Sequence, residues 1–238
     1  MRRASLIISI LLLLGCNDQN KSGNNNGAAQ DSTKADQSNT LKDQNNSTQN
    51  ANNFSNLVEE YEDPNRVRWQ NPDLVIQKMG SLRGKTLADI GAGSGYFSFR
   101  LINMAEKVIA IDIDKRFLDY IEERKSGLNT AIASRLVTRL TDPDDPKLDP
   151  GEVDIVLVVN TYANIENRKD YFEKVRIGLK DNGKLVIVDF KFGDIPAGPP
   201  DEFKVNPEDA KNELRAAGFD NIQIDDTSLE FQYIIIAE

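Results

Sequence analysis

From residue 86 onward the chain alternates short apolar runs with amphipathic stretches. Runs at 86–90, 108–113, 135–140, 153–160 and 184–190 have the length and β-branched content of strands. The run 153–160, Val-Asp-Ile-Val-Leu-Val-Val-Asn, is the most apolar and reads as a central strand buried on both faces. Between them lie stretches of helical period at 95–104, 115–125 and 168–180, the last stopped by Asn182-Gly183 as a C-cap signal. A helix over 207–217 opens on Pro207 and closes on Gly218. Two final strands, 222–226 and 230–237, are too close for a crossover and must form an antiparallel hairpin. Alternating strands and helices with this ending predict an α/β fold, a mostly parallel seven-stranded sheet covered by helices.

The first 53 residues break this pattern. Arg2 and Arg3 precede an apolar run of nine residues, Leu6–Leu14. About 20 apolar residues are needed to span a bilayer, so this run is a signal h-region instead. It ends Leu13-Leu14-Gly15-Cys16 and then turns polar. This resembles a bacterial lipoprotein signal in which Cys16 is lipidated and becomes the mature N-terminus, although Leu14 departs from the small residue usual there. The alternative is an ordinary cleaved signal with a chance cysteine. Cys16 is the only cysteine of the chain, which favours lipidation, and more than one acyl chain would give a stable anchor. Residues 17–53 hold eleven Asn, no aromatic residue and one large aliphatic, Leu41. Such a segment cannot offset its ordering entropy and reads as a disordered tether. The expected organisation is a lipoprotein signal over 1–16, an Asn-rich tether over 17–53 and one folded domain over 54–238, exported to the bacterial cell envelope and membrane-anchored.

Charge narrows the chemistry. The net charge is −9 and no basic stripe is present, which argues against nucleic acid as the main partner. There is no histidine, so the usual general base and the commonest metal ligand are missing. With one cysteine as well, no metal site is expected.

The most informative stretch is 87–97, Leu-Ala-Asp-Ile-Gly-Ala-Gly-Ser-Gly-Tyr-Phe. A strand runs into three alternate glycines, Gly91, Gly93 and Gly95, and then into an amphipathic run. Glycines allow a sharp turn and close approach of backbone to ligand, and a helix start offers free N–H groups to an anion. The dinucleotide fingerprint places its glycines first, third and sixth; here the third is at the fifth position, and Asp89 precedes the first by two. About twenty residues on, Asp112 ends the second strand, where a carboxylate can reach ribose hydroxyls. Asp114 fits the cap of the following helix better.

The pattern D-x-G-x-G-x-G resembles motif I of the class I S-adenosylmethionine (SAM) dependent methyltransferases, whose Rossmann-like fold has a reversed last strand. Four further segments resemble a bacterial subfamily whose members often carry export signals: Pro64-Asn65-Arg66-Val67-Arg68-Trp69-Gln70-Asn71-Pro72-Asp73; Asp142-Pro143-Asp144-Asp145-Pro146; Asn160-Thr161-Tyr162; and Gly198-Pro199-Pro200 followed by Lys204. The subfamily's two histidines after N-T-Y are Ala163 and Asn164 here, and the one before the G-P-P lysine is Phe203. The resemblance implies SAM as cofactor. Asp89, Gly91, Gly93 and Gly95 would cradle its methionine part and Asp112 its ribose. Asp142 would meet the adenine amino group, or is a turn carboxylate beside Pro143. Trp69 and Gln70 would cover the cofactor, with core packing the alternative for Trp69. Asn160 and Tyr162, ending the fourth strand, would face the transferable methyl as catalytic residues.

The implied activity is in-line methyl transfer to a small-molecule, lipid or protein acceptor. Export away from the cytoplasmic SAM supply, with the missing histidines, leaves a second reading: a tethered, non-catalytic SAM or nucleoside binding module. A nicotinamide oxidoreductase fails on glycine spacing and on the terminal hairpin.

Overall fold

The computed structural model describes residues 52–195 and 198–238. The segments expected to form a lipoprotein signal and a tether, Cys16 included, lie outside the described residues except for residues 52 and 53. Phe54–Glu238 clusters as one compact unit.

Seven strands form one sheet in the order β3-β2-β1-β4-β5-β7-β6. They are β1 (Thr86–Ile90), β2 (Lys107–Asp112), β3 (Leu136–Leu140), β4 (Val153–Val159), β5 (Leu179–Phe190), β6 (Ile222–Asp225) and β7 (Gln232–Ala237). The first five pair in parallel. β7 inserts between β5 and β6, antiparallel to both, so the expected fold class and terminal hairpin are both present. β1 and β4, at the centre, are apolar almost throughout because both of their faces are covered.

Helices are α1 (52–61), α2 (Arg66–Gln70), α3 (Pro72–Lys78), α4 (Ser98–Leu101), α5 (Lys115–Ser126), α6 (Thr130–Ala133), α7 (Arg168–Gly178) and α8 (Pro207–Ala216). One core layer joins the sheet to α3, α4 and α5 through Val75, Leu101 and Ile121; the other joins it to α7 and α8 through Phe172, Val175 and Leu214. Asp114 caps α5, accepting from the Arg116 N–H at 2.9 Å, as expected.

Two elements differ from expectation. The helix anticipated over 95–104 shrinks to α4, because Gly95 sits at φ +80, outside the helical region. Asn182-Gly183 is not the C-cap of α7: that helix ends at Gly178, and Asn182, at φ +60, turns the chain within β5.

Candidate active site

The carboxyl ends of the parallel strands gather the chemistry, as the topology of open α/β sheets requires. Gly91, Gly93 and Gly95 all have positive φ, +71, +52 and +80. The loop they form is latched to the next strand: Gly93 N–H donates to Asp112 Oδ2 at 2.8 Å. Asp112 Oδ1 accepts from Asp114 N–H at 2.9 Å. One carboxylate therefore fixes both the glycine loop and the turn after β2. Its burial pushes its pKa up, against those two backbone bonds.

Asp89 lies behind this loop. It is 3% exposed, and its Oδ2 accepts from Ser98 Oγ at 2.7 Å, tying β1 to α4. In the same loop the Ser94 hydroxyl is buried and has no hydrogen-bond partner among the described residues. Beside Asp112 are two exposed apolar side chains that the sequence reading missed, Ile113 and Leu140. Their signal was an apolar residue at the end of a strand, indistinguishable from core. Asp142 is exposed and pairs with Lys147 at 2.9 Å, in a turn where Asp142 and Asp145 bridge.

α1 closes on this region. Tyr61 stacks on Phe117 at 5.3 Å, and a Cβ added to Gly93 would lie 3.0 Å from the Tyr61 ring. Glu62 pairs with Arg124, which also donates to the Ser94 carbonyl.

The three residues of Asn160-Thr161-Tyr162 separate. Asn160, at φ +54, stays half-buried at the end of β4. Thr161 packs so tightly on Gly91 that an added Cβ there would lie 2.6 Å from its Cγ2. Tyr162 leaves the strand end altogether, which corrects its expected catalytic role. Its ring is fully buried beside Phe172, and its hydroxyl donates to Glu213 Oε2 at 2.6 Å. Glu213 is in turn held by Arg168 at 2.6 Å. Burial and that carboxylate drive the Tyr162 pKa far above the phenol range, which excludes it as a base near neutral pH. Tyr162→Phe is expected to lower folding stability by about 1 kcal/mol with SAM affinity within twofold of wild type; urea unfolding and calorimetry check both.

Gln70 is a second correction. It is fully buried, accepts from Arg66 Nε at 2.5 Å, and donates to Gln232 Oε1 at 3.1 Å and Asn160 Oδ1 at 3.4 Å. With its amide engaged at both ends it braces the strand ends and does not cover a cofactor. Trp69 is half-buried, 5.6 Å from the Phe190 ring. Among the described residues no cluster of three or more His, Cys, Asp or Glu has metal-site geometry, and no helix is long and apolar enough to cross a membrane.

Two buried carboxyls set a pH dependence. Burial pushes both Asp89 and Asp189 up to about 6. Unfolded Asp titrates near about 3.9, so the folded state binds more protons between these values. Stability therefore rises as pH falls from 7 through 6 and levels off near 4. Asp154, held by Lys180, the Thr86 N–H and Lys85, is lowered to about 2; its contribution is lost below pH 4. Urea unfolding is expected to give a free energy larger at pH 5 than at pH 7.5 by about 2 kcal/mol. An unchanged or smaller value at pH 5 contradicts this assignment.

Residues 88–185 match the family model described as a methyltransferase domain. A tRNA U34 carboxymethyltransferase from Haemophilus influenzae is 26% identical over 116 residues, 48% of this chain; the chain spans 35% of that enzyme's length. A SAM-dependent methyltransferase structure from Aquifex aeolicus superposes with TM-score 0.67 at 22% identity, covering 76% of this chain and 95% of that one. A possible exported protein from Bordetella parapertussis superposes with TM-score 0.56 at 17% identity, covering 75% of this chain and 71% of that one. Residues 88–185 are thus similar to a methyltransferase domain, and the chain shares the Rossmann-like α/β fold of these solved methyltransferase structures.

Proposed function

We propose that the protein is a SAM-dependent methyltransferase. The observation that carries this reading is the glycine loop latched to Asp112 at the sheet's carboxyl edge. The residues fit the cofactor. Gly91, Gly93 and Gly95 take the positive φ the tight loop needs, with Thr161, Tyr61 and Phe99 packed where a Cβ would stand. Among the described residues the buried Ser94 hydroxyl has no partner, and the exposed faces of Ile113 and Leu140 beside Asp112 suit a planar base. In this reading the loop holds the methionine part, Asp112 the ribose, and Asp142 the rim by the adenine. Trp69 borders the acceptor side, and Asn160 faces the methyl. Asp89 supports the loop from behind through Ser98.

SAM, when bound, supplies an electrophilic methyl on sulfur, so the protein has no bond-making side chain to provide. Its residues contribute alignment and water exclusion, which can be worth several kcal/mol. With no histidine in the chain and Tyr162 locked in the core, acceptors that are already ionised are favoured. The test is methyl transfer from labelled SAM to a panel of phenols, thiols, quinols and membrane extracts. Labelled product from at least one is expected. Tight SAM binding with no product from any acceptor would overturn the enzyme reading.

We also propose export and lipid anchoring at Cys16. The support is the short h-region ending at the only cysteine. Wild type is expected in the membrane fraction and Cys16→Ser as an unlipidated precursor. A soluble wild-type protein beginning elsewhere would contradict this.

A further inference from the structure

Four side chains from distant parts of the chain meet behind the carboxyl end of β4. Arg66 on α2 is buried between α1 and the rings of Tyr96 and Phe97; its Nη1 donates to the Tyr61 carbonyl and its Nε to Gln70 Oε1. Gln70 Nε2 donates to Gln232 Oε1 and to Asn160 Oδ1. Gln232, fully buried at the start of β7, donates from Nε2 to Asn160 Oδ1 at 2.5 Å.

An amide can be turned either way round, so its orientation must be argued from its partners. Here the argument closes. A guanidinium only donates, so Gln70 must turn its oxygen to Arg66 and its NH2 inward. Gln232 then has to accept from Gln70 with its oxygen and pass its own NH2 on. Asn160 receives donors from both glutamines on its one oxygen. Among the described residues nothing accepts from Asn160 Nδ2, which is left as the free end of a half-buried side chain at the strand end.

We infer that Arg66, Gln70 and Gln232 are positioning residues that force Asn160 to present its NH2, so the site selects an acceptor whose reacting group is an oxyanion, such as a phenolate or enolate, over an amine. This rests on the reading that Asn160 faces the methyl. An oxyanion accepts one hydrogen bond from Nδ2 and keeps further lone pairs for attack. Its oxygen forms the bond to the methyl carbon as the carbon–sulfur bond breaks and the electron pair stays on sulfur. The acceptor has no proton to lose, so no base is required. An amine would present N–H to N–H at Asn160 and would need its own proton removed.

The orientation is tested without any acceptor, by hydrogen exchange of side-chain amides in the nitrogen-15-labelled full chain, Asn160 being assigned by its loss in Asn160→Asp. The NH2 groups of Gln70 and Gln232 are expected to exchange at least tenfold more slowly than that of Asn160. In Gln232→Glu, measured at a pH where the new carboxyl is ionised, that carboxylate cannot donate, so Asn160 must reverse and its NH2 must slow by tenfold or more. Equal protection of all three amides in wild type would overturn the relay, whether or not the variant folds.

Selectivity is tested with labelled SAM and two probes, 4-nitrophenol above its pKa and benzylamine. The phenolate is expected to be labelled at least tenfold faster, and the reverse order would overturn the inference. Gln232→Glu is expected to raise the KM for 4-nitrophenol about tenfold while SAM affinity stays within twofold. A purely structural role would lower SAM affinity and melting temperature together. SAM calorimetry on the same samples separates the two claims: failure to bind SAM removes the methyltransferase reading, whereas the exchange order reports on the relay alone.

Discussion

Gly91→Ala is expected to abolish detectable SAM binding and to cost about 3 kcal/mol of folding stability. Two effects combine. Gly91 has φ +71, which a residue with a Cβ adopts at a cost of about 1–2 kcal/mol. The added carbon would also lie 2.6 Å from Thr161 Cγ2 and 2.9 Å from Thr161 Cβ, so Thr161 must move. Thr161 is pinned by its own hydroxyl to the Val159 carbonyl at 2.9 Å and follows Asn160 directly, so the displacement reaches the amide relay. Gly151→Ala is the control. Gly151 has φ +63 with nothing within 4 Å of its Cβ position, so only the backbone cost remains. Calorimetry should find SAM affinity at the wild-type value in Gly151→Ala and lost in Gly91→Ala. Comparable loss in both would mean that the effect is general destabilisation.

The second large effect is at Asp112. Asp112→Ala removes the acceptor for both Gly93 N–H and Asp114 N–H and leaves the two groups unpaired. Charge-assisted bonds of this kind contribute about 1.5–3 kcal/mol each, so an overall loss of about 3 kcal/mol is expected. In the proposed site the ribose contact goes too, and SAM affinity should fall about 10- to 100-fold. Asp112→Asn keeps one acceptor oxygen and should fall between. Unfolding and calorimetric titration read the two losses separately. A destabilised variant with unchanged affinity would leave Asp112 a latch and remove it from the cofactor site.

The elements that a short stretch of chain determines were legible without a structure. Strands β1 and β4 declare themselves as apolar runs because both faces of the central sheet are covered. The closing hairpin followed from the short connection between its two strands, too short for a crossover. The place of Asp112 at the end of β2, beside the glycine loop, was legible because its distance from the glycines is set by one strand–helix unit. What was missed depends on long-range packing. Tyr162 sits three residues past a strand end, and position alone does not say which way the chain turns; a short 3-10 turn carries its ring into the layer under α7 and α8. Gln232 is 162 residues from Gln70 and 72 from Asn160, and only the insertion of β7 beside β5 brings them together. Gln70 itself read as a cofactor cover because a tryptophan–glutamine segment before the glycine loop says nothing of its buried partner. The helix expected at Gly95 fails because the periodicity of apolar residues does not report the sign of φ.

The central claim is that the loop and Asp112 hold SAM. Isothermal titration of the full chain with SAM and with S-adenosylhomocysteine tests it most directly. The account predicts one site per chain for each ligand, with micromolar-class affinity that is lost in Gly91→Ala and retained in Gly151→Ala. A folded wild-type protein that releases no binding heat with either ligand at millimolar concentration would contradict it.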